Sequence, residues 1–229
     1  GDRRTEWLAA VQLARMGTSV APAEWSNERV IETATRAREV FEELGDDLGL
    51  ARAWMLMAEP LLGKGRNDEA ADRFRRALLH AERTGDEREV LLVHDYLHRA
   101  LYFGSAHVSV VRAEAEAMLA RAGGRRRAAR LARLARAAVQ ALSGEEDESR
   151  QLYLRAKAIA EAVGLGFLLA MVPFFSQEVG LLFGDAEFAE REARAGYERL
   201  EAAGDKGFRS TMATVLAEAL LQLDRCDEA

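Results

Sequence analysis

Cysteine, proline, histidine and lysine are all scarce in this chain of 229 residues. The single cysteine, Cys226, excludes an internal disulfide and leaves no paired-thiol spacing for zinc, so a reducing, cytoplasmic setting is expected. Three prolines and 7% aromatics, set against an abundance of Ala, Leu, Glu and Arg, argue for helices throughout, because these residues lose least on entering a helix. Sheet is not expected. The longest near-apolar run, Gly164 to Phe175, is far short of the ~20 residues a membrane helix needs and contains Pro173. No basic-then-apolar leader precedes the body of the chain. Neither a membrane partner nor export is expected. With 32 basic against 38 acidic side chains the net charge is -6, which repels a phosphate backbone, so direct nucleic-acid binding is not expected. Of the basic residues only Lys64, Lys157 and Lys206 are lysine, a bias that suggests a high-GC bacterial genome.

Charged residues at 31% and apolar residues at 49% are enough for a folded chain with a core. The organising signal is a glycine ladder. Gly45, Gly85, Gly123, Gly164 and Gly204 recur at about 40 residues, and Gly65, Gly104, Gly144 and Gly184, with Asp224 in the last slot, interleave at the same period. A glycine can follow a helix in the left-handed conformation without a Cβ clash, so each is expected to end one. Between them apolar residues recur at helical spacing, as in Leu48, Ala51, Met55, Ala58, Leu62 and in Ala70, Phe74, Ala77, Leu78, Ala81. Acidic or small polar groups after the second glycine set, Asn67-Asp68-Glu69, Glu145 to Glu148 and Asp185, can cap the next helix. Gly17 to Asn27, with Pro22 and Trp25, is expected to be a loop interrupting the first unit.

One unit is specific enough to suggest a family. Ala53-Trp54, Met57-Ala58, Leu61, Gly65, Ala70, Phe74 and Ala77-Leu78 resemble the tetratricopeptide (TPR) repeat pattern. Leu97, Leu101 and Ala117, and Leu216-Ala217, Leu220 and Ala229, fit it more loosely, whereas Pro173, Ser176 and Gly180 stand where it expects bulk. The resemblance implies an all-α fold: a right-handed superhelical array of antiparallel helix pairs, about five and a half repeats and about eleven complete helices in a single domain over 1–229. The phrases Glu43-Leu44-Gly45-Asp46, Arg83-Thr84-Gly85-Asp86 and Ala203-Gly204-Asp205-Lys206-Gly207 are similar to the C-terminal repeat regions of large bacterial regulators, which carry an ATPase core and a LuxR-type DNA-binding or adenylate/guanylate cyclase domain elsewhere. Asp224 to Ala229 begin a helix that does not continue, so the expectation is a piece of a longer array.

Chemistry-bearing constellations are thin. Gly63-Lys64-Gly65 has neither the spacing nor the preceding strand of a phosphate loop, and Gly164-Leu165-Gly166 reads as a turn. His94 and His98, four apart on one helix face, could ligate a metal or simply pack; with only His80 and His107 besides, no metal or other cofactor is expected. No nucleophile, base and orienting group stand out together, and no enzyme is expected. Arg121, Arg125, Arg126, Arg127, Arg130, Arg133 and Arg136 form a basic run that is either a solvated face or a subsidiary docking surface.

The TPR resemblance implies that the first helix of each pair lines a concave groove. Carried onto this sequence, the inward positions are Arg52, Met55 and Glu59; Asp95, Arg99 and Tyr102; Met171, Phe174 and Glu178; and Thr211, Thr214 and Glu218. In the later units the register is open by one residue, so His94 and His98 could replace Asp95 and Arg99. The expected function is a non-catalytic scaffold or sensor module whose partner is a protein or peptide segment, or another domain of its own chain. The alternative is a receptor for a small-molecule or peptide inducer in the same groove.

Overall fold

The computed structural model describes residues 2–20, 24–122, 140–163, 172–175 and 179–229. Gly123, the arginines from Arg125 to Arg136, Gly164-Leu165-Gly166, Met171, Ser176 and Glu178 lie outside the described residues. Nine α-helices have defined bounds among the described residues: α1 (Arg3–Val20), α2 (Asn27–Leu44), α3 (Asp47–Gly63), α4 (Asn67–Thr84), α5 (Glu87–Tyr102), α6 (Val108–Ala122), α7 (Glu146–Val163), α8 (Ala186–Ala202) and α9 (Lys206–Gln222). A 3₁₀ turn over Cys226–Glu228 follows α9, and no strand occurs among the described residues. The fold is all-α.

Gly-Asp dipeptides punctuate the helices. Gly45, Gly65, Gly85, Gly144, Gly184 and Gly204 have φ between 63° and 78°. Asp224, the residue that replaces glycine in the ladder, adopts φ 57°, which an Asp tolerates better than a β-branched residue does. After four of these glycines an aspartate caps the next helix. Asp46, Asp86, Asp185 and Asp205 accept the amides of Gly49, Arg88, Phe188 and Phe208 at 3.3, 2.9, 3.0 and 2.9 Å. Each such cap satisfies one of the amides a helix start leaves unpaired and sets a negative charge on the positive end of the helix.

Gly104 departs from the expected pattern, since it is not among the glycines with positive φ. A Cβ there would lie 2.7 Å from the Ala100 carbonyl oxygen and from Asp68 Oδ1, so its value is close approach and not a left-handed turn. Asn67 and Asp68 hold this same turn instead of capping α4. Asn67 Nδ2 donates to the Phe103 carbonyl at 2.7 Å, and Asp68 accepts from the Ser105 amide and hydroxyl at 2.9 and 2.8 Å. These bonds hold Asp68 below the usual carboxylate range.

The expected loop over Gly17 to Asn27 is shorter than its composition suggests. Gly17 to Val20 complete α1, and Asn27 already opens α2 behind the cap Ser26. Gly17 is buried against the Trp25 indole, which leaves no room for a Cβ there. Pro22 lies outside the described residues.

The chain divides into two compact units, Gly1–Glu114 and Ala115–Ala229. In the first, consecutive helices from α1 to α5 pack on each other, and α1 also reaches α3. Its core joins Val11, Ala14, Val30, Ala34, Ala37, Phe41, Leu50, Ala53 and Leu56, with Trp7, Trp25 and Met57 at the margin. Four of these nine residues are alanines, small enough to let the helix backbones approach, and each large side chain buried among them contributes ~1.5–3 kcal/mol. In the second unit α8 packs on α9. Ala193, Leu200, Met212 and Val215 form their shared core, against which Phe174 and Tyr197 rest.

Candidate functional site

The groove residues assigned from the repeat resemblance separate into three groups. Arg52, Glu59, Asp95, Arg99 and Tyr102 are half-buried on α3 and α5, where side chains are ordered yet accessible. Met55 is a correction: only 2% exposed, it is a core residue of α3, because the neighbouring helices close over its side of the helix. Phe174 is half-buried and lies against the α8–α9 core, with its ring edge-on to Phe175 at 5.4 Å. On α9, Thr211, Thr214 and Glu218 are exposed.

In the first unit Glu59, Asp95 and Arg99 gather around Tyr96. Arg15 of α1 donates from Nη2 to the Tyr96 hydroxyl at 3.0 Å and pairs through Nε with Glu59 of α3 at 3.0 Å. The Arg99 guanidinium stacks 4.1 Å from the Tyr96 ring centroid, the Arg15 guanidinium is 5.5 Å from it, and Arg99 also pairs with Asp95 at 3.0 Å. Arg52 of α3 pairs with the buried Glu89 of α5. Three helices are therefore tied by a network of two arginines, two carboxylates and a phenol, together with the separate Arg52–Glu89 pair. Burial raises the Glu59 carboxyl above the usual carboxylate range, and this outweighs the opposing pull of Arg15 and Arg99. For Arg15 burial works in the other direction, and Glu59 with Tyr96 more than offsets it, so its charge is retained.

Arg15, Tyr96 and Glu89 are the members that sequence reasoning missed. Arg15 lies on α1, ahead of the unit with the readable repeat pattern. Tyr96 directly follows Asp95, and the one-residue uncertainty in register hid it.

The structure places Asp95 and Arg99 on the accessible face and buries His94 and His98, each 4% exposed. His94 Nδ1 meets Glu114 of α6, whereas neither ring nitrogen of His98 has a hydrogen-bond partner. Burial, reinforced by the nearby Arg99 charge, lowers the His98 pKa to about 4. The two histidines thus have separate environments, and among the described residues no group of three or more His, Cys, Asp or Glu is arranged to hold a metal ion.

A second network lies in the other unit. Glu192 of α8 accepts from the buried Tyr153 hydroxyl and from Lys157 Nζ at 2.8 Å, both on α7. Arg150 bridges to Asp185 at 3.0 Å and stacks 4.9 Å from the Phe188 ring centroid. These contacts fasten α7 to α8.

No protein-family model matches the sequence, and no curated protein matches it. The structure is similar to the crystal structure of BtubC (BKLC) from P. vanneervenii, with a TM-score of 0.67 and 14% identity, over 89% of this chain and 87% of that one. That likeness is one of helical fold. Among the described residues no helix is long and apolar enough to cross a membrane.

Proposed function

We propose that the chain is a non-catalytic module that binds a protein segment, serving as a scaffold or as a sensor within a larger cytoplasmic bacterial signalling or transcription regulator. In this reading the helices form a TPR-like array with a right-handed superhelical course, and recognition uses the face shared by α1, α3 and α5. The observation that carries the proposal is the network centred on Tyr96. Its charged side chains are already held in place by one another, so little rotamer entropy remains to be lost when a partner docks. Tyr102, whose ring meets Phe103 edge-on at 5.0 Å, adds an aromatic anchor of the kind that dominates binding energy.

The test is a screen of a peptide library on the purified chain, followed by calorimetric titration of the best binder. Tyr102→Ala and Arg99→Ala are each expected to weaken binding by ~1–3 kcal/mol, while Arg36→Ala, on the exposed face of α2, leaves it unchanged. Failure of every peptide to bind, or equal losses from all three variants, overturns the proposal.

A further inference from the structure

On the other side of α3 lies a recess that the Tyr96 network does not touch. Helices α2 and α4 both pack on α3, and between them Trp54 and Met57 of α3 form the apolar wall of a space of about 470 Å³. Arg38 of α2 and Arg73 and Arg76 of α4 surround it, with Glu69 and Asp72 also in its lining.

The charges of this lining are unequally compensated. Glu69 is held by Arg66, Nε and Nη2 each donating at 2.6 Å, and Asp72 accepts from Arg75 at 2.8 Å. Arg38 pairs with Glu42 at 2.8 Å. Arg73 donates one Nη1 bond to the Met57 carbonyl at 2.8 Å, and the Arg76 guanidinium stacks 4.9 Å from the Trp54 ring centroid. Neither Arg73 nor Arg76 has a carboxylate partner among the described residues. The recess therefore presents two uncompensated guanidinium groups on a chain whose net charge is -6.

Stacking engages the face of a guanidinium and leaves its in-plane N–H donors available, while restricting its rotamers before any ligand arrives. The stacked Arg76 fork and the remaining donors of Arg73, itself held by the Met57 carbonyl, beside an apolar wall match a carboxylate carried on apolar atoms. A polyphosphate fits worse, because Glu69 and Asp72 would meet its continuous negative charge. A small free anion would leave Trp54 and Met57 uncovered.

We propose that this recess is a second binding site, for an acidic peptide segment of a partner protein, with one carboxylate between Arg73 and Arg76 and flanking aliphatic side chains on Trp54 and Met57. The site is independent of the α1–α3–α5 face and does not rest on the function proposed for it.

The experiment follows the Trp54 indole N–H resonance of the ¹⁵N-labelled full chain, assigned with Trp54→Phe. The probe is a short peptide alternating Leu and Glu; the comparison ligands are the same peptide with Gln for Glu, and sodium acetate at equal carboxylate concentration. The Leu-Glu peptide is expected to shift the Trp54 resonance saturably, and high salt to weaken the effect. Arg76→Ala and the bulkier Arg73→Gln should each reduce affinity about tenfold or more, as loss of a charged hydrogen bond does, while Arg36→Ala, which removes an equal charge paired with Glu32 outside the recess, changes it less than about twofold. Circular dichroism confirms that each variant is folded. The proposal is overturned if the Trp54 resonance does not move, if the Gln peptide or acetate reproduces the shift, or if Arg36→Ala weakens binding as much as Arg76→Ala.

Discussion

Two glycines in α3 should respond to the same substitution with opposite sign. Gly63, exposed at the end of the helix, has nothing within 4 Å of where a Cβ would be. Gly63→Ala restricts the unfolded chain without cost to the fold, so it should stabilise by about 0.5–1 kcal/mol. Gly49, buried in the first turn, has the ring of Phe41 well inside the 3.0 Å that real Cβ atoms keep. Phe41 has no exposed surface and is bounded by the α1–α2–α3 core, so its ring has no free space to enter. Overpacking of this kind costs ~1–3 kcal/mol, against a backbone gain of at most ~1 kcal/mol, which leaves Gly49→Ala destabilising by up to about 2 kcal/mol. Urea unfolding followed by tryptophan fluorescence reports on this unit alone, because Trp7, Trp25 and Trp54 all lie within Gly1–Glu114. The midpoint should fall for Gly49→Ala and rise for Gly63→Ala, with the slope unchanged in both. Adding Phe41→Leu to Gly49→Ala should cost less than it does in the wild-type background, since the smaller side chain makes room. If Gly49→Ala is as stable as Gly63→Ala, the helix packing described here is wrong.

The buried, unpartnered His98 should make the fold sensitive to mild acid. Its folded pKa of about 4 lies below the ordinary 6.5, so as pH falls between those values the unfolded chain gains a proton that the folded chain refuses. Stability is lost across that window, by on the order of 3 kcal/mol at most, and His98→Leu should flatten that part of a pH series of urea midpoints relative to wild type. In the Tyr96 network, Arg15→Ala leaves the largely buried Glu59 carboxylate short of its nearest cation and should cost about 1–3 kcal/mol. The double variant Arg15→Ala with Glu59→Gln should cost clearly less than the sum of the two singles, which a double-mutant cycle on urea midpoints measures. Phe174→Ala should act on stability, removing ~1–3 kcal/mol from the α8–α9 core as read by circular dichroism in urea, because its half-buried ring packs against that core.

Helices and most of their glycine ends were legible in the amino-acid sequence because the physics that sets them is local, whereas of the four aspartate caps only Asp185 was among those expected. A Gly-Asp pair carries both a left-handed terminator and a cap acceptor within two residues, and Asp224 could be placed in the same ladder from its spacing alone. The positions on α3 and α5 came from the repeat resemblance, and of these Arg52, Glu59, Asp95, Arg99 and Tyr102 are half-buried. What it left open was rotation about each helix axis. Asp95 against His94, and the burial of Met55, depend on which neighbours close over a helix, and a one-residue step turns a side chain by about 100°. The loop expected at Gly17 failed for the same reason: contact with Trp25, eight residues on, makes glycine a packing solution inside α1 and not a break. The Tyr96 network was beyond local reasoning altogether. Its Arg15–Tyr96 bond spans 81 residues, and only the stacking of α1, α3 and α5 brings those two charged and polar groups to hydrogen-bonding distance.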